Sequence, residues 1–319
     1  MIDLQKYIEQ EITFKEAVEL FNTKGSELLE LFNVANRIRE KECGNNIEVC
    51  TITNAKSGKC NENCKFCAQS AHYNTNIDTY DMKDINELRN EYEMSCEIGS
   101  NMFGIVTSGG TILRDSEDYK KLKEFLKIAK GSSLPCFSIG KLGYEEAVEF
   151  KEAGLTRYHN NIQCSKESYS KIVATTHTIE ERIESIKNAK KAGLKVCCGG
   201  IIGMGESYED RVSMAFTIKE LDIDCIPLNI LNPIKGTPHG DQEILTVDEI
   251  LKTIAIYRII LKNKVIKVTA GRESILKDFM GMAFMAGANS MMVGGYLTIR
   301  GRSVEEDKKF INNIKKMWI

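Results

Sequence analysis

The sequence predicts an α/β fold, a (β/α)8 barrel of the TIM type with an N-terminal helical extension. From about residue 46, short runs of strand-forming residues alternate with amphipathic helical stretches, which is the spacing of repeated βα units around a parallel sheet. Eight such units close a barrel. The predicted strands begin near Ile47, Met102, Leu134, Arg157, Leu194, Cys225, Val265 and Asn289.

The helices between the strands carry recognisable stop signals. Ala153-Gly154, Ala192-Gly193 and Ala286-Gly287 each supply a glycine that can take the left-handed conformation after a last helical turn. Before residue 46, apolar residues recur at helical spacing instead of strand spacing. We therefore divide the chain into a helical extension, residues 1–45, and a barrel domain, residues 46–319.

Composition favours small-molecule chemistry inside the cell. The formal net charge is −2, and acidic and basic residues are mixed along the chain. This pattern does not indicate a basic surface for nucleic acid or an anionic membrane. The first ten residues are polar, and no apolar run approaches the length of a membrane span. We expect a cytoplasmic protein, in which eleven cysteines serve metal binding or catalysis more readily than disulfides.

Three cysteines, Cys60, Cys64 and Cys67, follow the first predicted strand as a C-x3-C-x2-C loop. Three thiolates can hold three irons of a [4Fe-4S] cluster and leave the fourth iron open, whereas an electron-transfer cluster normally has four protein ligands. A zinc site is the alternative, but zinc usually takes four ligands, and only His72 is close in sequence. A ferredoxin-like relay lacks the same local fourth ligand.

The loop resembles the signature of the radical S-adenosylmethionine (SAM) superfamily, in which an aromatic residue precedes the last cysteine. Phe66 occupies that place. The resemblance implies that the open iron binds the amino and carboxylate groups of SAM. One electron then splits SAM into methionine and a 5′-deoxyadenosyl radical, while the barrel positions the reactants and excludes water.

Further segments resemble the biotin synthase family, in family order, from about residue 45 to about residue 308. The resemblance implies that the radical removes hydrogens from two carbons of dethiobiotin and that an auxiliary iron-sulfur cluster donates the sulfur. It also implies a flavodoxin- or ferredoxin-type electron donor and a homodimer. The segments are Tyr158–Asn161, Thr175–Thr178, Glu181-Arg182, Lys195–Ile201, Gly203–Glu206, Pro227–Asn229, Lys235–Pro238, Thr269–Glu273 and Met285–Ser290.

The resemblance also assigns roles to single residues. Asn161 and Asn229 would bind the ureido ring of dethiobiotin, and the planar guanidinium of Arg182 would bind the methionine carboxylate of SAM. The alternatives are a helix charge paired with Glu181 or Glu184 for Arg182, and strand-end hydrogen bonding for the asparagines. The cofactor contacts are expected at Phe66, Asn161, Gln163, Arg182 and Ile201. The substrate contacts are expected at Asn161, Asn229, Lys267, Ser290 and Thr298.

The sequence departs from the family pattern at the auxiliary cluster. The usual [2Fe-2S] site has three cysteines and an arginine, and here Gly104 replaces one cysteine and Lys267 replaces the arginine. Gln163 stands where an aspartate is expected to bind ribose, and it can still form hydrogen bonds as a neutral group. Ile299 replaces a threonine expected near the substrate carboxylate, where Arg300 or Arg302 could compensate.

Two cysteines appear where the family usually has serines. Cys225 lies four residues before Asn229 and therefore on the same strand face, and Cys50 lies on the first predicted strand. With Cys136 and Cys197 they form an all-thiolate set, for which we favour a four-iron cluster, with an extra sulfide for insertion as an option, over a [2Fe-2S] cluster. The alternative is that Cys50 and Cys225 are small buried core residues.

Two other functions remain open from the sequence. One is a related radical enzyme of the hydrogenase-maturation or lysine-mutase type, because fold analogy alone does not separate such barrels. The other is a redox relay or metal scaffold without radical chemistry, which would produce no 5′-deoxyadenosine. Asn229 and the segment Ala270–Glu273 favour the biotin synthase family.

Overall fold

The computed structural model describes residues 3–295 and 301–319 of the chain. Within these residues, nine parallel strand segments form a sheet that closes on itself, which confirms the predicted barrel. The segments are β1 (Glu48–Lys56), β2 (Met102–Thr107), β3 (Leu134–Ser138), β4 (Arg157–His159), β5 (Lys195–Cys197), β6 (Gly200–Ile202), β7 (Cys225–Ile230), β8 (Val265–Val268) and β9 (Ser290–Met292).

The fifth strand of the barrel is interrupted, so β5 and β6 are its two halves. Both halves pair with β7, at Cys197 with Cys225 and from Gly200 to Ile202 further along. A Cβ atom on Gly199 would lie 2.1 Å from the carbonyl oxygen of Pro227. The glycine therefore permits close strand packing at the interruption, where the sequence predicts a single continuous strand.

Helices surround the barrel in the predicted alternation. Serine, threonine and aspartate side chains cap several of them, and the capping box at Thr178 and Glu181 fixes the start of α7. The helices are α1 (Phe14–Glu19), α2 (Ser26–Cys43), α3 (Ile85–Ile98), α4 (Glu117–Ile128), α5 (Tyr144–Ala153), α6 (Tyr169–Ile172), α7 (Ile179–Lys191), α8 (Tyr208–Glu220), α9 (Val247–Leu261), α10 (Met280–Met285) and α11 (Val304–Trp318).

The N-terminal segment is helical, as its apolar spacing indicates. Helix α1 packs on α8, and α2 packs on α9. Ala17, Phe21 and Leu31 are buried in the same hydrophobic core as the barrel helices. None of the helices in the described part of the chain combines the length and the apolar character that a membrane crossing needs.

Candidate active site

The loop that carries Cys60, Cys64 and Cys67 is held in shape by its own backbone. The N–H of Cys60 donates to the carbonyl of Gln69 (3.0 Å), and the N–H of Ala71 donates to the carbonyl of Cys60 (2.8 Å). The N–H of Cys67 donates to the carbonyl of Cys64 (3.0 Å), which makes a tight turn between the last two cysteines. All three thiols are free.

The segment before α7 supports this loop from the side. The Asn63 side-chain oxygen accepts hydrogen bonds from the backbone N–H groups of Thr175 (2.9 Å) and Thr176 (3.2 Å). The N–H of Lys65 donates to the carbonyl of Val173 (2.8 Å). The loop and the Thr175–Thr178 segment are therefore one unit in the fold, although more than a hundred residues separate them in the chain.

The three thiols line one wall of a cavity of about 190 Å³, which we call the upper cavity. Its other walls include the glycine turn Gly109-Gly110, Gly140 and the side chains of His177 and Arg182. A Cβ atom on Gly140 would lie 2.3 Å from the carbonyl oxygen of Gly110, so that wall is built from closely approaching backbone. A flat group can lie against such a wall without side-chain interference.

Arg182 lies in the first turn of α7 and is partly buried beside this cavity, without a carboxylate partner in the described part of the chain. Its hydrogen bonds go to neutral groups, among them the side-chain oxygen of Asn160 (2.8 Å) and the carbonyl of Asn161 (3.0 Å). Glu181 instead pairs with Lys141 (2.6 Å), so it does not pair with Arg182 as the simpler interpretation of the sequence would have it. A partly buried cation of this kind favours an anionic ligand.

Gln163 presents a second unsatisfied group at the same place. It has a left-handed backbone (φ 69°), and its side-chain oxygen is buried without a hydrogen-bond partner in the described structure. Gln163 lines the upper cavity and also the larger cavity described next. A buried acceptor without a partner is costly, and a ligand hydroxyl could supply the missing donor.

A larger cavity of about 340 Å³, the central cavity, continues into the barrel. Phe66, Cys67, His159, Asn161 and Gln163 line both cavities, so the two are neighbours with common walls. The central cavity also brings together the predicted site residues Cys50, Cys136, Cys197, Ile201, Asn229 and Lys267. Burial in the low-polarity barrel lowers the pKa of His159 to about 3, so its imidazole is neutral at physiological pH.

The four strand cysteines lie on four different strands, β1, β3, β5 and β7, within the first three residues of each. Cys50 and Cys136 pack together with Met102, and Cys197 is aligned with Cys225 in the sheet. Cys225 is fully buried, and its Sγ lies 4.0 Å from Oε1 of Glu48. Burial raises the pKa of Cys50 to about 11 and that of Cys136 to about 12, so metal binding would have to displace their protons.

A buried ion network lies beneath these cysteines, and sequence analysis missed two of its members. Glu48 accepts two hydrogen bonds from Arg157 (2.8 and 2.9 Å), and Lys267 Nζ lies 3.4 Å from Glu48 Oε1. Burial would raise the pKa of Glu48, but the two cations lower it to about 2. Lys267 Nζ also donates to Cys50 Sγ (2.6 Å). Inward alternation along β1 could have indicated Glu48, because it lies two residues before Cys50.

The remaining predicted residues differ in what they contact. The side-chain oxygen of Asn161 accepts from the N–H of Gly199 (2.9 Å), and Asn229 bonds to the carbonyl of Gly200 (3.2 Å) and to the hydroxyl of Thr269 (2.8 Å). Ser290 lines neither cavity, and its hydroxyl donates to the carbonyl of Glu48 (2.8 Å). Thr298, Ile299 and Arg300 lie outside the described residues.

No group of three or more histidine, cysteine, aspartate or glutamate side chains among the described residues is arranged around a single metal ion. His72 bonds to the carbonyl of Asn61 (2.9 Å) and not to a cysteine, which disfavours the zinc alternative. An iron-sulfur cluster distributes its ligands over several irons, so its thiolates stand further apart than those around one ion. The free thiols, the unpaired Arg182 and the unsatisfied Gln163 fit such a cluster with an anionic, hydroxyl-bearing cosubstrate.

Comparison with known proteins identifies the family. Residues 55–218 match the family model of the radical SAM superfamily, and residues 227–315 match the biotin and thiamin synthesis associated domain. Biotin synthase of Clostridium tetani is 46% identical over 316 residues, which are 98% of this chain and 96% of that protein. The chain belongs to the biotin synthase family. Biotin synthase of Carboxydothermus hydrogenoformans is 44% identical, over 94% of this chain and 92% of that protein.

Solved structures show the same architecture at low sequence identity. Methylornithine synthase (PylB) is 18% identical with a TM-score of 0.83, over 98% of this chain and 96% of that one. HydG, a maturase of the [FeFe]-hydrogenase, is 19% identical with a TM-score of 0.81, over 98% of this chain and 73% of that one. At such identity the likeness establishes the barrel fold and leaves the reaction to the site residues of this biotin synthase family member.

Proposed function

We propose that this protein converts dethiobiotin to biotin by radical SAM sulfur insertion, with sulfur drawn from an auxiliary iron-sulfur cluster. One observation carries the proposal. The upper cavity, lined by the three loop thiols, shares walls with a central cavity lined by Cys50, Cys136 and Cys197. A substrate lying between Asn161 and Asn229 would have one set of thiols on each side.

In the upper cavity, Cys60, Cys64 and Cys67 would hold a [4Fe-4S] cluster. Arg182 would bind the methionine carboxylate of SAM, because it is a partly buried cation whose partners among the described residues are neutral. Gln163 would accept a hydrogen bond from a ribose hydroxyl, which satisfies its buried side-chain oxygen. When bound, the cluster and SAM supply the 5′-deoxyadenosyl radical.

In the central cavity, the protein holds the substrate and excludes water. Asn161 has an uncommitted side-chain N–H2 group, since only its oxygen is used by Gly199, and it can donate to the ureido oxygen of dethiobiotin. Asn229 is held by Gly200 and Thr269 on the facing strand end. Ile52, Met102, Val106 and Ile201 provide apolar walls for the hydrocarbon part of the substrate.

Deeper in the barrel, Cys50, Cys136, Cys197 and Cys225 would hold the auxiliary cluster, for which we favour four irons. This cluster supplies the sulfur when bound. Lys267 and Arg157 place two positive charges next to the four thiols, against the single negative charge of Glu48. A net positive surrounding offsets part of the negative charge that four thiolates bring into a low-dielectric interior. A [2Fe-2S] cluster on the same thiols is the alternative.

We further propose a cytoplasmic homodimer that receives electrons from a flavodoxin- or ferredoxin-type donor. The proposal is tested with protein reconstituted anaerobically with iron and ³⁴S-sulfide and then supplied with dethiobiotin, SAM and a reduced flavodoxin. We expect ³⁴S-labelled biotin together with one 5′-deoxyadenosine for each hydrogen removed. 5′-Deoxyadenosine without biotin would indicate a related radical enzyme, and neither product would indicate a redox relay or scaffold.

A further inference from the structure

His177 is a buried histidine directly beside the cysteine triplet. It precedes Thr178, the N-cap of α7, and only 6% of its surface is exposed. Its Nε2 atom lies 3.2 Å from Sγ of Cys64, within the distance of a hydrogen bond that involves sulfur. The ring therefore faces a thiol that would bind iron in the proposed function.

The hydrogen bonds on the other side of the ring favour a proton on the nitrogen that faces Cys64. Arg182 can only donate, and its Nε donates to the hydroxyl oxygen of Tyr169 (2.5 Å). The hydroxyl hydrogen of Tyr169 is then free to point at Nδ1 of His177, 2.9 Å away. When Nδ1 accepts that hydrogen, the ring proton lies on Nε2, which faces Cys64.

A second contact at Nε2 competes with this assignment as long as no ligand is bound, because Arg182 can only donate. Arg182 Nη2 lies 3.2 Å from the same nitrogen. If Nε2 accepted a hydrogen bond from Arg182, its lone pair could not serve Cys64, and a thiolate bound to iron has no proton to give. With the proton on Nε2, Cys64 accepts a hydrogen bond and Nη2 of Arg182 is left for an outside acceptor such as a carboxylate.

We propose that the Nε2–H of His177 donates a hydrogen bond to the Cys64 thiolate and thereby raises the reduction potential of the cluster held by the triplet. The inference rests on the proposed function, which assigns that cluster to Cys60, Cys64 and Cys67. A reduced cluster carries one more negative charge than an oxidised one. A donor to its sulfur therefore stabilises the reduced form more, and hydrogen bonds to sulfur are one of the factors that set cluster potentials.

The same contacts make Tyr169 and Arg182 positioning residues for His177. Tyr169 holds Nδ1, and the rings of Tyr169 and His177 pack edge to face at 5.8 Å. Arg182 orients the Tyr169 hydroxyl and also borders the upper cavity, where the SAM carboxylate would bind. The chain of contacts thus links the carboxylate-binding group to a cluster-binding thiolate through two buried side chains.

The first test removes the donor and keeps the ring packing, in His177→Phe. His239→Phe is the matched control, because His239 is also a buried histidine but its Nε2 bonds to the carbonyl of Ile172 (2.7 Å). We expect unchanged iron content and a lower reduction potential in His177→Phe, measured by EPR-monitored titration without SAM, and an unchanged potential in the control. Equal potentials in His177→Phe and wild type would overturn the inference.

The second test does not depend on whether His177→Phe folds. The chain contains four histidines, so labelling with ¹⁵N-histidine places the isotope at few sites. In the reduced wild-type protein, pulsed EPR should detect a weak ¹⁵N coupling to the cluster. His177→Gln, whose side-chain amide still offers an N–H, should lose the labelled coupling and keep a potential near that of wild type.

The outcomes separate the two proposals. A wild-type chain that binds no [4Fe-4S] cluster at the triplet would contradict the proposed function. A chain that binds the cluster but shows no ¹⁵N coupling would contradict only the role of His177. Tyr169→Phe should lower the reduction potential of the cluster less than His177→Phe does. It removes the hydroxyl that holds Nδ1 of His177, but it leaves the imidazole that donates to Cys64.

Discussion

The two sets of cysteines in this barrel are built in opposite ways. The triplet Cys60, Cys64 and Cys67 lies in a loop of eight residues that is shaped by local backbone hydrogen bonds. The set Cys50, Cys136, Cys197 and Cys225 comes from four different strands and is assembled only when the barrel closes. The triplet depends mainly on local turns, with support from the Thr175–Thr178 segment, whereas the strand set depends on the whole fold.

The two cysteine sets also differ in whether the charges beside them are already paired. In the cavity beside the triplet, Lys141 is paired with Glu181, whereas the described partners of Arg182 are neutral, so Arg182 is left for an anionic ligand. The strand set has two cations and one carboxylate already paired beneath it, through Arg157, Lys267 and Glu48. The loop is thus suited to exchange a cosubstrate, and the strand set is suited to keep a group in a closed interior.

The largest effect is expected when the cysteine loop is changed. Changing Cys60, Cys64 and Cys67 together to serine should reduce 5′-deoxyadenosine production to background, because the irons of the SAM-binding cluster would lose their thiolate ligands. The product is measured by mass spectrometry after anaerobic incubation with SAM and dithionite. Continued production in the triple variant would contradict the radical assignment.

The next effect concerns the strand set in that same triple-serine background. The variant should retain about four irons per chain, since the deep thiolates suit a four-iron cluster. Adding Cys50→Ser or Cys225→Ser should remove most of this iron, as measured by chemical iron and sulfide analysis of the folded protein. About two irons would instead indicate the [2Fe-2S] alternative.

Cys198 provides the matched control for this experiment. It is fully buried and directly follows Cys197, but it is part of the outer hydrophobic core and not of the group formed by Cys50, Cys136 and Met102. Cys198→Ser in the triple-serine background should keep the iron. A folded triple-serine protein without iron would show that the strand cysteines are core residues only.

The comparison also explains what the sequence could and could not reveal. The loop was predictable because its spacing is local, and the strand starts at Met102, Cys225 and Val265 were predicted to the residue because strand-forming runs mark them. The interruption of the fifth strand was not predictable. It depends on Pro227 approaching Gly199 from a neighbouring strand, and no local pattern encodes that distance.

The network beside the strand set could be predicted only in part. Alternation along β1 indicates that Glu48 points inward, but Arg157 is 109 residues away and nothing local in the sequence links the two. Their pairing follows from barrel closure, which brings the side chains at the starts of β1 and β4 into contact. Lys267 was recognised as a replacement for an arginine, but its contact with Cys50 could only be found in the fold.

A moderate effect should appear when this network is broken. Glu48→Gln leaves Arg157 and Lys267 as buried cations without their carboxylate, and breaking a buried ion pair by removing one partner costs about 3–5 kcal/mol. The free energy of unfolding of the metal-free protein, from urea titration, should fall by this amount. Glu9→Gln is the control, since its partner Lys41 and Glu9 itself are largely exposed and stability should change little. Similar losses in both variants would contradict the structural role of the network.

The smallest expected effect tests the region between the two cysteine sets. Asn229→Ala removes a group at the end of β7 that lines the central cavity, and it leaves a buried polar partner of the substrate unsatisfied. Such a loss costs about 1–3 kcal/mol, or about 5- to 150-fold in the dissociation constant of dethiobiotin. Affinity for SAM should stay within error, because Asn229 lines only the central cavity among the two described here. The two affinities are measured by equilibrium dialysis on reconstituted protein.

Asn188→Ala separates substrate binding from general damage in this last experiment. Asn188 donates from its side chain to the carbonyl of Leu142 (3.2 Å), and Asn229 makes the same kind of bond to the carbonyl of Gly200 at the same distance. Both variants lose one such bond, but Asn188 lies on α7, away from the central cavity. If Asn229→Ala weakened dethiobiotin and SAM binding equally, or if Asn188→Ala matched its effect on dethiobiotin, the asparagine would support the barrel end instead of contacting the substrate.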